Sequence, residues 1–219
     1  MTDSDAKARV LEAALAHVPF DGWSDHTLQA AMTDAGLDLA LGLVMFPRGG
    51  VDMALAYHAR GDAEMVARLA ATDLSALRFR DRIATALRTR LELSDRELVR
   101  RGTTLFALPQ HAADGAAALW RTADQVWTAL GDSSQDFNWY TKRATLSAVH
   151  AATVLFWLGD ETPGHQATWD FLDRRIEGVM QFEKLKGQLR ESSFAKALVA
   201  GPVKLFETLL GPRKSDTPS

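Results

Sequence analysis

Six histidines, His17, His26, His58, His111, His150 and His165, are the side chains of this 219-residue chain best suited to move a proton or hold a metal near neutral pH. Two have a carboxylate at helical reach: His58 and Asp62 lie four residues apart, His111 and Asp114 three. A catalytic zinc or di-iron centre needs further ligands at comparable spacing, and no HExxH or ExxH pair supplies them. The chain has no cysteine, which excludes disulfides, thiolate metal sites and a Cys nucleophile. No GxSxG, P-loop or GxGxxG is present, and Gly49-Gly50 reads as a loop. Asp95-Arg96-Glu97 and Asp173-Arg174-Arg175 read as solvated helix faces. The residues therefore predict no catalytic set, no metal site and no cofactor.

What the chain carries instead is apolar surface at helical spacing. Wound at about 100° per residue, Phe194 to Leu210 places Phe194, Leu198, Val199, Val203, Leu205, Phe206, Leu209 and Leu210 within an arc of roughly 180°. Lys196, Lys204 and Glu207 take the other side and forbid spanning a bilayer, although the stretch reaches about 25 Å. The stripe must cover the protein's own core, a partner subunit or a membrane surface. From Glu183 onward seven basic residues face four acidic ones, leaving 18 and 24 in the rest. A basic, apolar tail on an acidic body suits an anionic membrane. Gly201-Pro202 interrupts the stripe, because Pro202 cannot donate to the carbonyl of Leu198.

Periodicity is helical throughout, and the fold class is all-α. Helices are expected near 5–17, 26–35, 38–45, 51–71, 75–93, 95–107, 111–130, 138–158, 165–186 and 191–210, with prolines mostly at their ends. Asp136 or Asn138 is the expected cap of the 138–158 helix, and Thr162 or Pro163 opens the next. The residues divide as 1–50, 51–186, 191–210 and a disordered 211–219. The acidic, polar first ten residues predict no secretory signal or organelle leader, hence a cytoplasmic protein peripheral to the inner face of the cytoplasmic membrane.

The first fifty residues have the layout of a helix-turn-helix: Thr27–Ala35, a turn at Gly36, Leu37–Met45 and a Phe46-Pro47 stop. This pattern resembles the N-terminal domain of TetR-type regulators. Reading DNA requires basic and amide side chains on the second helix, yet it reads LDLALGLVM. Residues 1–57 hold three basic and eight acidic side chains, a balance that repels phosphate. A degenerate helix-turn-helix with no nucleic-acid partner is the expectation; a ligand-responsive TetR-type regulator is the alternative.

The helix over 139–158 is nearly apolar after Arg143, with Ala144, Ser147, Ala148, Ala151 and Ala152 permitting close approach of neighbours. Trp120 and Trp127 lie seven residues apart, and Leu105-Phe106 end another helix. Such residues build either a filled core or a long apolar cavity.

Asn138-Trp139-Tyr140-Thr141-Lys142-Arg143, the acidic loop after Leu158, and Thr168-Trp169-Asp170-Phe171-Leu172-Asp173-Arg174-Arg175-Ile176 are similar to the signature block of the coenzyme Q (ubiquinone) biosynthesis accessory lipid-binding family. The resemblance implies a TetR-like fold without DNA-binding function, an isoprenoid-lipid site, a homodimer and a terminal amphipathic helix for membrane engagement. It implies a non-enzymatic role: binding an isoprenoid quinone or precursor lipid and presenting it to a membrane-associated hydroxylase of the ubiquinone pathway. The expected lipid contacts are Leu105, Phe106, Trp120, Trp127, Leu146, Val149, Thr153 and Phe156. The expected membrane contacts are Phe194, Leu198, Val199, Leu205, Phe206, Leu209 and Leu210. Trp139 and Tyr140, with Arg143, resemble the patch that meets the hydroxylase; an aromatic pair beside cations is also a physical hot spot, or a Trp packed under the preceding loop.

Overall fold

A computed structural model describes residues 3–132 and 137–191, with side chains for 4–132, 139–179 and 181. The Phe194–Leu210 stripe, the 211–219 tail and the cap expected at Asp136 lie outside the described residues, and Asn138, the alternative cap, falls inside the helix that begins at Phe137. Among the described residues the chain is helical, with no strand. It divides into two compact units, Met1–Arg174 and Arg175–Ser219, and residues 1–50 belong to the first.

The helices are α1 (Asp3–Leu15), α2 (Val18–Asp21), α3 (Asp25–Asp34), α4 (Leu39–Met45) and α5 (Gly50–Ala70). They continue as α6 (Phe79–Glu92), α7 (Arg96–Phe106), α8 (Ala112–Ala129), α9 (Phe137–Gly159) and, after a 3₁₀ turn at Pro163–His165, α10 (Gln166–Glu191). Several boundaries differ from expectation: α10 runs to Glu191 instead of ending near 186, and the short α2 is not among the expected helices. The first helix stops at Leu15, because Pro19 has the fixed φ that opens α2 rather than closing α1. The sixth starts at Phe79 instead of near 75, because Asp73 accepts from the Ser75 amide at 2.9 Å and holds a turn.

Local chemistry explains the helix-turn-helix. Ser24 caps α3 by accepting from the Thr27 amide at 3.1 Å, and Asp38 caps α4 by accepting from the Ala40 amide at 2.7 Å. Gly36 supplies the left-handed residue of the turn, at φ 63°. The two helices touch closely: a Cβ added at Gly42 would meet Met32 at 2.8 Å. Phe46 and Met32 sit in the core formed with α1, α5 and Leu98 of α7. A second packing layer sets α8 against α5, α7 and α9.

The surface of α4 is apolar: Val44 is 75% and Leu43 53% exposed. All three basic side chains of the first 57 residues have partners elsewhere. Lys7 lies over the Phe46 ring, Arg9 donates to the Ala35 carbonyl, and Arg48 pairs with Asp52 and Asp114. This helix therefore offers phosphate no cation.

Candidate ligand-binding site

Within the first unit, α5 to α9 enclose a cavity of about 430 Å³. Its wall is built from small residues: Ala54 of α5, Gly102 of α7, Ala112, Gly115 and Ala116 of α8, and Ala151 of α9. Larger apolar side chains, Leu91, Leu98, Phe106, Leu119 and Val154, complete it. One end reaches the surface, where the lining residues Ala107, Ala112, Ala116 and Leu155 are exposed. The other end is buried and polar. Gly115 brings α8 against α7 so closely that a Cβ there would meet the Phe106 Cβ at 2.7 Å.

The polar end is a hydrogen-bond network across three helices, with His150 of a fourth on the same wall. Arg90 (α6) donates from Nε to Asp62 (α5) at 2.7 Å, from Nη2 to the His58 carbonyl at 3.1 Å and from Nη1 to Ser94 at 2.6 Å. Thr122 (α8) donates to Asp62 at 2.9 Å and lies 2.8 Å from His58 Nε2. With one hydroxyl proton, Thr122 can serve both only if His58 Nε2 carries its own proton and donates it. Burial pushes His58 down to about 4, with Arg90 and Arg121 adding to the effect against the pull of Asp62, so it is neutral at pH 7. His150 (α9) is 2% exposed, and burial, then Arg90 and His58, push it down to about 3. Its Nδ1 is buried with no hydrogen-bond partner among the described residues. The His58–Asp62 spacing seen in the sequence thus joins a buried ion-pair network. Among the described residues no three His, Cys, Asp or Glu side chains are grouped to hold a metal. His111 instead precedes α8, and Asp114 pairs with Arg48.

Of the eight side chains expected at a lipid site, Phe106 lines this cavity. Leu105 packs against the N-terminal core. Leu146, Val149 and Thr153 are buried on one stripe of α9, while the cavity-lining His150, Val154, Ala151 and Leu155 occupy the adjoining arc. Phe156 stacks on Phe171 with ring centroids 4.5 Å apart. Trp127 donates to the Lys142 carbonyl at 3.1 Å and packs beside Phe79. The missed lining residues are mostly small or polar.

Trp120 belongs to an aromatic cluster with Trp139 and Tyr140, centroids 5.8 and 6.5 Å away. Tyr140 is 60% exposed. Arg143 is not on the surface of this patch. It is 2% exposed, paired with Asp124 at 2.6 Å and Asp132 at 3.1 Å, and its guanidinium lies 4.0 Å from the Trp139 ring centroid. It supports the aromatic pair from beneath. Beyond α9, Asp160 accepts from the Thr162 and Thr168 amides and both hydroxyls. These bonds, the Thr168 hydroxyl first, hold its carboxyl well below the usual range and lock the turn into α10.

Residues 112–183, spanning α8, α9 and most of α10, match the family model described as COQ9. The chain is 31% identical over 188 residues to the ubiquinone biosynthesis protein COQ9, mitochondrial, of Drosophila melanogaster, covering 83% of this chain and 57% of the fly protein. It is 28% identical over 209 residues to the protein of the same name from Homo sapiens, covering 91% and 65%. The chain thus spans less than two thirds of the length of these relatives. In fold it is similar to the crystal structure of a TetR transcriptional regulator from Nitrosomonas europaea ATCC 19718, with a TM-score of 0.63 at 16% identity, covering 80% of this chain and 98% of that one. The all-α, TetR-like fold expected from the sequence is the fold found. The cytoplasmic location expected from the first residues is corrected: the relatives are named as mitochondrial proteins. Acidity near the start of this chain does not decide its compartment.

Proposed function

The chain belongs to the COQ9 family, and on that premise we propose that it serves ubiquinone biosynthesis as a lipid-binding accessory protein. It takes an isoprenoid quinone or precursor into the cavity of α5 to α9 and presents it to a membrane-associated hydroxylase of the pathway. The observation that carries this reading is the cavity itself. It is walled by small apolar residues, open at Leu155 and closed by a polar floor. Its volume lies at the lower end of the range of ligand sites, about 300–1,000 Å³. It therefore suits a ring and the first part of a tail, with the remainder leaving through the mouth. Each CH₂ taken from water contributes about 0.8 kcal/mol, enough to hold a prenyl chain.

Three further roles complete the proposal. The exposed Tyr140, backed by Trp139, Trp120 and the buried Arg143, is the surface offered to the hydroxylase. Phe156, 38% exposed, and its stack on Phe171 support a homodimer built through α9 and α10. The apolar stripe of Phe194–Leu210 engages the membrane.

The test is extraction from vesicles. The 219-residue chain is mixed with phosphatidylcholine–cardiolipin vesicles carrying an isoprenoid quinone, then separated by flotation. Soluble protein that carries quinone away supports the reading. Variants Leu198→Asp and Phe206→Asp should lose vesicle contact and transfer together. Protein that never acquires quinone refutes it.

A further inference from the structure

Among the described residues, one buried polar atom beside the cavity is left over when the hydrogen bonds are assigned. Arg90 is committed to Asp62, the His58 carbonyl and Ser94; His58 is committed to Thr122, and Thr122 to Asp62. Ser94 returns its own hydroxyl to the Arg90 carbonyl at 2.9 Å. His150 stands on the cavity wall, 2% exposed, with Nδ1 buried and no protein partner among the described residues. Buried side-chain polar atoms are nearly always hydrogen-bonded, and those that are not call for an explanation.

We propose that His150 is the head-group contact of this cavity, its imidazole sharing a hydrogen bond with a ring hydroxyl or carbonyl oxygen of an uncharged aromatic or quinonoid ligand. The inference rests on the reading that the cavity holds an isoprenoid quinone intermediate, and names the residue that recognises its ring. The floor selects against a charged head. The Arg90 cation is already matched by the Asp62 carboxylate at 2.7 Å, so an ionised ligand would enter without a counter-charge. A neutral imidazole offers one donor and one acceptor, which serves a phenolic hydroxyl or a quinone carbonyl equally well. Burial and the neighbouring Arg90 hold it in that neutral form. The cavity wall also includes Ala54, Leu91 and Val154, whose side chains are all carbon, and the rings of Tyr57 and Trp23. The mouth is at the opposite end, where Ala107, Ala112 and Leu155 are exposed, so ring-in, tail-out is the only orientation that places the polar atom on His150.

The test uses the full chain and two probes: ubiquinone-1, a quinone with one isoprene unit, and farnesene, an isoprenoid hydrocarbon without oxygen. Affinities are measured by titration with native mass spectrometry. In His150→Phe, which keeps a ring of similar size, ubiquinone-1 should bind about tenfold more weakly, and farnesene within about twofold of wild type. His150→Asn, which keeps a polar atom near the position of Nδ1, should recover most of the loss. Equal weakening of both probes, or no weakening of either, overturns the head-group role while leaving the cavity as a lipid site. Failure of wild type to bind either probe overturns the cavity reading, and the head-group role falls with it. A second measurement needs no variant. In wild-type protein carrying ¹⁵N-labelled histidine, ubiquinone-1 should move one imidazole nitrogen resonance that farnesene leaves in place; no such movement also overturns the proposal.

Discussion

The buried pair Asp62–Arg90 gives the sharpest prediction, because it tests whether the cavity floor is built as described. The side chains are 1% and 5% exposed, and the Nε–Oδ1 distance is 2.7 Å. Removing one partner leaves the other charge buried without its counter-charge. Arg90→Met strands the Asp62 carboxylate with only Thr122 donating to it. Asp62→Leu strands the guanidinium and frees Thr122, and through it His58. Each single variant should cost about 3–5 kcal/mol. For a folding unit of this size about 2–4 °C of melting temperature accompanies each kcal/mol, so each should melt roughly 6–20 °C lower. The double variant replaces both charges by apolar groups of similar bulk, and should lie within about 1–2 kcal/mol of wild type. Urea unfolding of the four proteins closes the double-mutant cycle. Single variants within about 1 kcal/mol of wild type, or a double variant whose cost equals the sum of the two singles, would refute the placement of these charges.

Other outcomes follow from the same geometry. Gly61→Ala should destabilise the protein although alanine is worth about 0.5–1 kcal/mol more than glycine in an open helix, because its Cβ would meet the Arg90 guanidinium at 2.7 Å; thermal melting reads the sign. His58 and His150 are both held below their usual value of 6.5, to about 4 and about 3, so the unfolded chain binds protons that the folded chain refuses. Stability should therefore be full above pH 6.5 and fall by about 2 kcal/mol per histidine between pH 6.5 and 5, measured by urea titration at each pH; His150→Phe should remove roughly half of that slope, and an unchanged slope would contradict it. Tyr140→Ala, at an exposed position, should change stability by less than about 0.5 kcal/mol yet weaken capture of the pathway hydroxylase in a pull-down with purified components.

The sequence carried the helices because their caps and stops are local. Ser24, Asp38 and Gly36 act within a few residues of themselves, and each does in three dimensions what its type predicts. Asp95-Arg96, in contrast, reads as part of a solvated helix face, whereas Asp95 caps α7 and Arg96 ties it to the Leu158 and Asp160 carbonyls. The absence of cations from α4 was equally legible, since it is read from one short helix. The cavity was harder. Large side chains such as Trp127, Leu146 and Val149 draw attention, but bulk fills space, and the hollow lies where Ala54, Gly102, Gly115 and Ala151 leave it. The polar floor joins residues from 58 to 150, and no spacing rule links His58 and Asp62 to Arg90, Thr122 and His150 before the helices pack. Arg143 shows the same limit: its neighbour Tyr140 is exposed, and only the position of Asp124 and Asp132 turns the guanidinium inward.

The central claim is that an isoprenoid lipid occupies this particular cavity. Its most direct test is the lipid content of the full chain purified from its own source, extracted into organic solvent and identified by mass spectrometry, for wild type beside Ala151→Phe. Ala151 lines the wall, and a phenyl ring there takes up part of the roughly 430 Å³. The prediction is an isoprenoid quinone or its precursor bound to wild type and strongly depleted in a folded Ala151→Phe. Wild type free of isoprenoid lipid, or equal loading of the two proteins, would contradict the account.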